Sequence, residues 1–218
     1  LRVPRWGMTS SEMETRPDSV AVVVEFPEPG IRRIVLNRPD RLNTMNEALL
    51  VGLHREIQAA SADTSCRVVV LTGAGRAFCA GADLTERAEQ AMNPLTGEPR
   101  SRVRTTFDRQ HLIASLITEM RAMPQPIVVA VNGAATGGGL ALVLGSDVRL
   151  AARSARFGVA FIRAGFSACD IGTSWLLPRV VGVARAQELM LTGRVFDVDE
   201  AERIGLVVEV HDDEALSE

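Results

Sequence analysis

The stretch Val131-Asn132-Gly133-Ala134-Ala135-Thr136-Gly137-Gly138-Gly139-Leu140-Ala141 decides how the rest of the chain is read. An apolar run from Ile127 to Val131 leads into it, and an apolar helical pattern from Leu140 to Leu144 leads out. Glycines at such a strand-to-helix junction let the backbone adopt φ > 0 and leave bare N–H groups that a ligand can approach. The first amides of the following helix lack intrahelical partners and favour negative charge. A phosphate and a carbonyl oxygen becoming an oxyanion both suit such a place, as does a turn whose glycines serve close packing alone. The nucleotide motifs are not met: no Lys-Ser/Thr pair follows the glycines, and the G-x-G-x-x-G spacing is missing.

Composition narrows the classes. A chain of 218 residues suits one large domain, or one domain with an appendage. No apolar run reaches membrane-spanning length, and a net charge of −3 argues against nucleic acid as a main partner. Cys66, Cys79 and Cys169 lack metal-ligand spacing, which points to free thiols in a reducing compartment and to no metal site. The expectation is a soluble cytoplasmic protein without a membrane partner. Residues 1–19 are polar and poorly patterned, and no secretory signal opens them. They read as a disordered or cloning-derived segment, with residues 1–7, ahead of Met8, either a cloning remnant or an upstream extension.

From Val20 onward strand and helix patterns alternate, which predicts α/β architecture. Val20 to Phe26 and Ile31 to Leu36 read as two strands about the turn Pro27-Glu28-Pro29-Gly30. Asn43 to Asn46 supply cap residues for a helix carrying Leu49, Leu50, Leu53 and Ile57. Val68 to Leu71 is a short apolar strand ended by Gly73-Ala74-Gly75-Arg76. Thr85 to Arg104, charged and interrupted by Pro94, Gly97 and Pro99, reads as a surface loop or broken helix. A helix through Leu112 to Ile117 ends before Pro124. A strand is expected at Val148 to Ala151, helices over Gly172 to Arg179, Arg185 to Leu191 and Ala201 to Ile204, and a last strand from Leu206 to Val210.

A second glycine-bearing stretch adds weight: Arg67-Val68-Val69-Val70-Leu71-Thr72-Gly73-Ala74-Gly75-Arg76-Ala77-Phe78-Cys79-Ala80-Gly81-Ala82-Asp83-Leu84. Together with Asn37-Arg38-Pro39, the 132–139 cluster, Asp147 to Phe157, Leu177-Pro178-Arg179, Leu191-Thr192-Gly193 and Ala201 to Val207, it resembles the crotonase superfamily, also called the enoyl-CoA hydratase/isomerase family. The resemblance covers residues 20–210, with the blocks in the family's order. It implies a crotonase core, a spiral of ββα units, usually assembled as trimers or pairs of trimers. Residues 211–218 would then begin a C-terminal helical segment that members usually continue, which leaves the chain looking cut short.

The resemblance also implies an acyl-coenzyme A thioester as substrate, with coenzyme A its only cofactor-like part. Two backbone amides of the family hold the thioester oxygen, and they correspond to Ala82 and Gly138. Main chain around Leu42, Ala80, Asp83 and Leu84 corresponds to the wall for the adenine and pantetheine portions. Arg41 either reaches a coenzyme phosphate or is a solvated surface charge. Ala141, Phe161 and Cys169 fall around the acyl group.

Two departures bear on the chemistry. Hydratases of the family carry two glutamates where this chain has Ala141 and Phe161, and neither side chain transfers a proton. Asp170 remains, at a position that resembles the proton-transfer aspartate of dienoyl-CoA isomerases and the nucleophile of chlorobenzoyl-CoA dehalogenases. It also reads as an N-cap for the helix that follows. The dehalogenase histidine falls near Ala114, one helical turn from His111. His54 and His211 read as surface or hydrogen-bonded histidines, and Asp83 and Asp147 as structural hydrogen-bond acceptors. The expectation is an isomerase-like proton transfer. The alternatives are a non-catalytic acyl-CoA binder and a dehalogenase- or hydrolase-like enzyme with Asp170 as nucleophile.

Overall fold

Val22–Glu25 (β1) and Ile31–Leu36 (β2) form the expected hairpin, with Val22 opposite Leu36 and Glu25 opposite Arg33. The computed structural model describes residues 20–85, 101–169 and 171–217. The readings made for 1–19, for 86–100 and for Asp170 lie outside these described residues.

After the hairpin comes Glu47–Ala62 (α1), capped by the Asn46 side chain, which accepts from the Leu49 amide at 3.0 Å. Its buried face carries Leu49, Leu50, Leu53, Ile57 and Ala60, the spacing of an amphipathic helix packed on a sheet. The chain then repeats one plan. Val68–Gly73 (β3), Ala77–Cys79 (β4) and Arg102–Ala122 (α2) form one ββα unit. Ile127–Val131 (β5), Ala134–Thr136 (β6) and Gly138–Gly145 (α3) form the next. Val148–Ala152 (β7) and Arg156–Gly158 (β8) lead through a 3-10 turn, Ala160–Ala164, to Thr173–Val181 (α4). Val183–Thr192 (α5), Val195–Asp197 (β9), Val198–Arg203 (α6) and Glu209–His211 (β10) follow.

The first strand of each unit joins a six-stranded sheet, ordered β1-β2-β3-β5-β7-β10. The second joins a four-stranded sheet, ordered β4-β6-β8-β9. Pairing is parallel from β2 to β10 and from β4 to β8, as ββα repeats require, with antiparallel strands at one edge of each sheet. Every residue of α3 is buried, so this helix, apolar all round, lies in the core against β4, β6, α2 and α4.

The α/β spiral agrees with expectation, but the second sheet does not follow from the sequence patterns. Its strands are three residues long, too short to show alternation. The glycine stretch is therefore not a plain strand-turn-helix, because β6 intervenes between β5 and α3. The segment read as a loop to Arg104 already contains the first turn of α2, capped by Ser101, whose hydroxyl accepts from the Arg104 amide. The last strand is Glu209–His211, shorter than expected. Among the described residues, no helix is long and apolar enough to cross a membrane.

Candidate active site

The site is assembled from loops of two different units. Leaving β2, the chain makes a 3-10 turn at Pro39–Arg41, then places Leu42 and Asn43 in left-handed backbone at φ 51 and 53. Asn43 is fully buried and holds this loop to the β3–β4 turn. Its Nδ2 donates to the carbonyls of Ala74 and Ala77 at 2.9 and 2.7 Å, and its Oδ1 accepts from the Arg38 amide at 2.7 Å.

Main-chain bonds fix the adjoining 80–83 segment. Ala80 N donates to Leu42 O at 3.0 Å, Met45 N to Gly81 O at 2.8 Å, and Asp83 N to Met45 O at 3.0 Å. In this parallel bridge Met45 bonds the two neighbours of Ala82, so the N–H of Ala82 itself is turned away from Met45.

Charge locks the same corner. Both Arg38 Nη1 and Nη2 donate to Asp83 Oδ2 at 3.1 Å, and the Thr44 hydroxyl donates to that oxygen at 3.3 Å. Arg38 also donates to the Thr44 carbonyl. Asp83 Oδ1 accepts from the Thr85 hydroxyl at 2.7 Å and the Thr85 amide at 3.1 Å. The Thr85 hydroxyl first, then the Thr85 amide and Arg38, hold the Asp83 carboxyl down to about 2 against the upward push of burial. Both carboxylate oxygens are thus engaged inside the protein, and with its amide bonded to Met45 O, Asp83 has its main-chain carbonyl left for a ligand. Asp147 is likewise an acceptor, from the Ile127 amide at 2.9 Å and from Arg121 at 2.7 Å.

The second half comes from β6 and α3. The Thr136 hydroxyl donates to Ala80 O at 3.0 Å and ties the halves together. Gly137, at φ 53 and ψ −118, makes the corner into α3 and supplies no side-chain cap. Ala141 N donates to Gly137 O at 3.1 Å, so the amides of Gly138, Gly139 and Leu140 form the open first turn. A Cβ on Gly81 would stand 3.6 Å from Gly138 N and 3.0 Å from Thr136 O. Ala82 and Gly138 therefore share one corner, and among the described residues neither amide meets a protein acceptor.

The other expected residues are arranged around this corner unequally. Leu42 and Ala80 are half-buried beside it, while Arg41, Ala82 and Leu84 are exposed. Ala141 is fully enclosed in the apolar core, one turn into α3. Phe161 packs half-buried on that core from the 160–164 turn. Cys169 is exposed; Cys79, by contrast, is buried, and burial pushes its thiol up to about 12, which leaves it inert. His54 is a buried, doubly bonded histidine, 2.8 Å from both Glu119 and the Leu112 carbonyl, and not a surface one. His111 is exposed on α2, against Phe107. Sequence reading did not single out Asn43, Met45 or Thr136 as builders of the corner. Nothing in their spacing marks them, because their partners lie in other units.

A two-sheet spiral of ββα units, with a glycine-built corner where the small sheet meets the central helix, defines a protein of the crotonase type. The chain belongs to the enoyl-CoA hydratase/isomerase family, whose model matches residues 27–218, and it is an enzyme of that family. It is 43% identical over 209 residues to a probable enoyl-CoA hydratase, EchA12, of Mycobacterium leprae, covering 95% of this chain and 70% of the relative. It is 38% identical over 196 residues to the 1,2-epoxyphenylacetyl-CoA isomerase of Escherichia coli K12, covering 90% of this chain and 72% of that one. A crystal structure of a probable enoyl-CoA hydratase/isomerase from Mycobacterium abscessus superposes with a TM-score of 0.81 at 40% identity, covering 90% of this chain and 71% of that chain.

Proposed function

We propose that the protein binds an acyl-CoA thioester, stabilises its enolate with the amides of Ala82 and Gly138, and moves a proton along the acyl chain through Asp170. The observation that carries this reading is the pairing of two unoccupied main-chain donors at the Gly81–Gly138 approach. A thioester enolate concentrates negative charge on oxygen, and each preset donor contributes about 3 kcal/mol to the transition state. In the proposed step the Asp170 carboxylate takes a proton from one carbon and the electron pair moves onto the thioester oxygen. The pair then returns to form the shifted double bond as the same carboxyl delivers the proton to another carbon. Mass is unchanged, and no metal, flavin or nicotinamide takes part.

Ala141 and Phe161 support isomerisation over hydration, since activating water requires a base at close range and these side chains hold none. The isomerase relative supports the same direction, although the hydratase relative points the other way. The coenzyme would lie along the main chain of Leu42, Ala80, Asp83 and Leu84, with Arg41 free to meet a phosphate. Self-association as trimers or hexamers belongs to this reading, as does a cytoplasmic setting that suits the free thiols.

Asp170→Asn is expected to abolish turnover while leaving acyl-CoA affinity within a few-fold. A panel of enoyl-, dienoyl- and aryl-CoA thioesters, followed by mass spectrometry, separates the outcomes. Rearrangement without mass change supports isomerisation, whereas addition of water would overturn it. The enclosed apolar Ala141 favours a second reading, a non-catalytic binder, which would bind the panel by calorimetry and convert none of it. Halide release or thioester cleavage dependent on Asp170 would instead mark the nucleophilic route.

A further inference from the structure

We propose that Met45 is a positioning residue that sets the spacing between the two oxyanion amides, an inference that rests on reading Ala82 and Gly138 as those donors. Met45 touches both halves of the corner. Its main chain bonds Gly81 O and Asp83 N, at 2.8 and 3.0 Å, and so holds the intervening Ala82 amide outward. Its side chain lies under the first turn of α3. Its Sδ is 2.8 Å, and its Cε 3.3 Å, from the point where a Cβ on Gly138 would stand. Gly138 is glycine at a place where the Met45 thioether already occupies the space a larger residue would need.

Met45 is itself held firmly. It is 1% exposed, and the next residue, Asn46, caps α1. A pliant thioether fills an irregular gap without strain, so the gap beneath Gly138 is set by the volume of this one side chain. Thr136 bonds Ala80 independently of Met45. Shortening Met45 therefore leaves the two loops joined but removes the floor beneath Gly138. Oxyanion stabilisation depends on tightly fixed donors, and a relaxed first turn weakens it, while the 80–84 main chain proposed to carry the coenzyme stays in place, because its bonds to Met45 are main-chain bonds that a side-chain change spares.

Acetoacetyl-CoA is the probe, because its enolate absorbs in the near ultraviolet and forms in proportion to how well the thioester oxygen is stabilised. The wild type is expected to bind it with an enolate band at neutral pH. Met45→Ala should reduce the enolate-to-keto ratio about tenfold or more with the dissociation constant for coenzyme A unchanged, and Met45→Leu should restore most of it. Met45→Val, a milder truncation, is measured alongside in case the alanine variant does not fold. Leu53→Ala, buried in α1 away from the corner, controls for stability alone: its melting temperature should fall with no change in the band. A wild-type complex without enolate would overturn the oxyanion reading and this inference with it. A wild-type enolate band left intact in both Met45→Ala and Met45→Val would overturn this inference alone.

Discussion

Asn43 combines two features that sequence patterns treat separately, a left-handed backbone and a complete set of buried hydrogen bonds. Asparagine tolerates φ 53 better than other side chains apart from glycine, and here its amide also bridges three main-chain groups. Asn43→Ala is expected to destabilise the protein by about 3 kcal/mol, the sum of left-handed strain and buried groups left without partners. Asn43→Gly relieves the strain but not the lost bonds, so it should recover only about 1 kcal/mol of that. Urea denaturation of the two variants checks the division; equal losses would show that backbone strain contributes nothing. The same residue shows the limit of local reading. Asn43 looked like one of several candidate caps, while Asn46 is the one that caps α1. Two of the three partners of Asn43 lie 31 and 34 residues away, beyond any local pattern.

Among the elements, α3 carries the most consequence for its length. Gly139 in its first turn is pressed on β4, where a Cβ would stand 2.0 Å from the Cys79 carbonyl oxygen. Gly145, in its last turn, faces the far ends of Ile117 and Met120 at 3.3 and 3.4 Å, and these can shift. Gly139→Ala should therefore displace the start of the helix, costing about 3 kcal/mol and most of the turnover. Gly145→Ala should cost under about 1 kcal/mol and leave turnover nearly intact, since it trades tight packing against a better helix former. Melting temperatures and kcat for the pair test whether the glycine cluster serves the site or only the fold. Periodicity made α1, the second half of α2 and the long strands legible, because these bury apolar side chains at regular spacing; the first half of α2 is mostly exposed, and its first turn reads as loop. The strands of the second sheet lay hidden at three residues apiece. Ala82 and Gly138 were paired through resemblance, not spacing, since the segments that carry them come together only when β4 and β6 pair. The ion pair behind them, Arg38 to Asp83, spans 45 residues.

At the scale of the molecule, the candidate site is a seam between two ββα units, so its geometry and the stability of the fold are linked through the groups that close the seam. Asp83 is the principal charged group beside it, and through Arg38 and Thr44 it ties the 80–83 side of the seam to the loop after β2. Its carboxyl titrates at about 2 in the folded protein against 3.8 for the free group, because Thr85 and Arg38 stabilise the carboxylate. A depressed folded value means the stabilisation is fully present above pH about 4 and is lost as pH falls through about 2, since the unfolded chain takes up the proton first. The difference corresponds to about 2 kcal/mol. Glu188, held down to about 2 chiefly by its hydrogen bond from Arg194, has the same sign, but it is a third exposed and solvent screens it. The urea midpoint of the wild type should therefore fall as pH drops from about 5 to 2. Asp83→Asn should start lower at neutral pH and fall less over that range, the two curves converging in acid. Arg38→Met, which removes a smaller part of the stabilisation, should lie between them. Parallel curves for wild type and Asp83→Asn would mean that the carboxylate is no better held in the folded chain than in water, and that the loop after β2 is held to the 80–83 segment by its main-chain bonds and by Asn43 without help from charge.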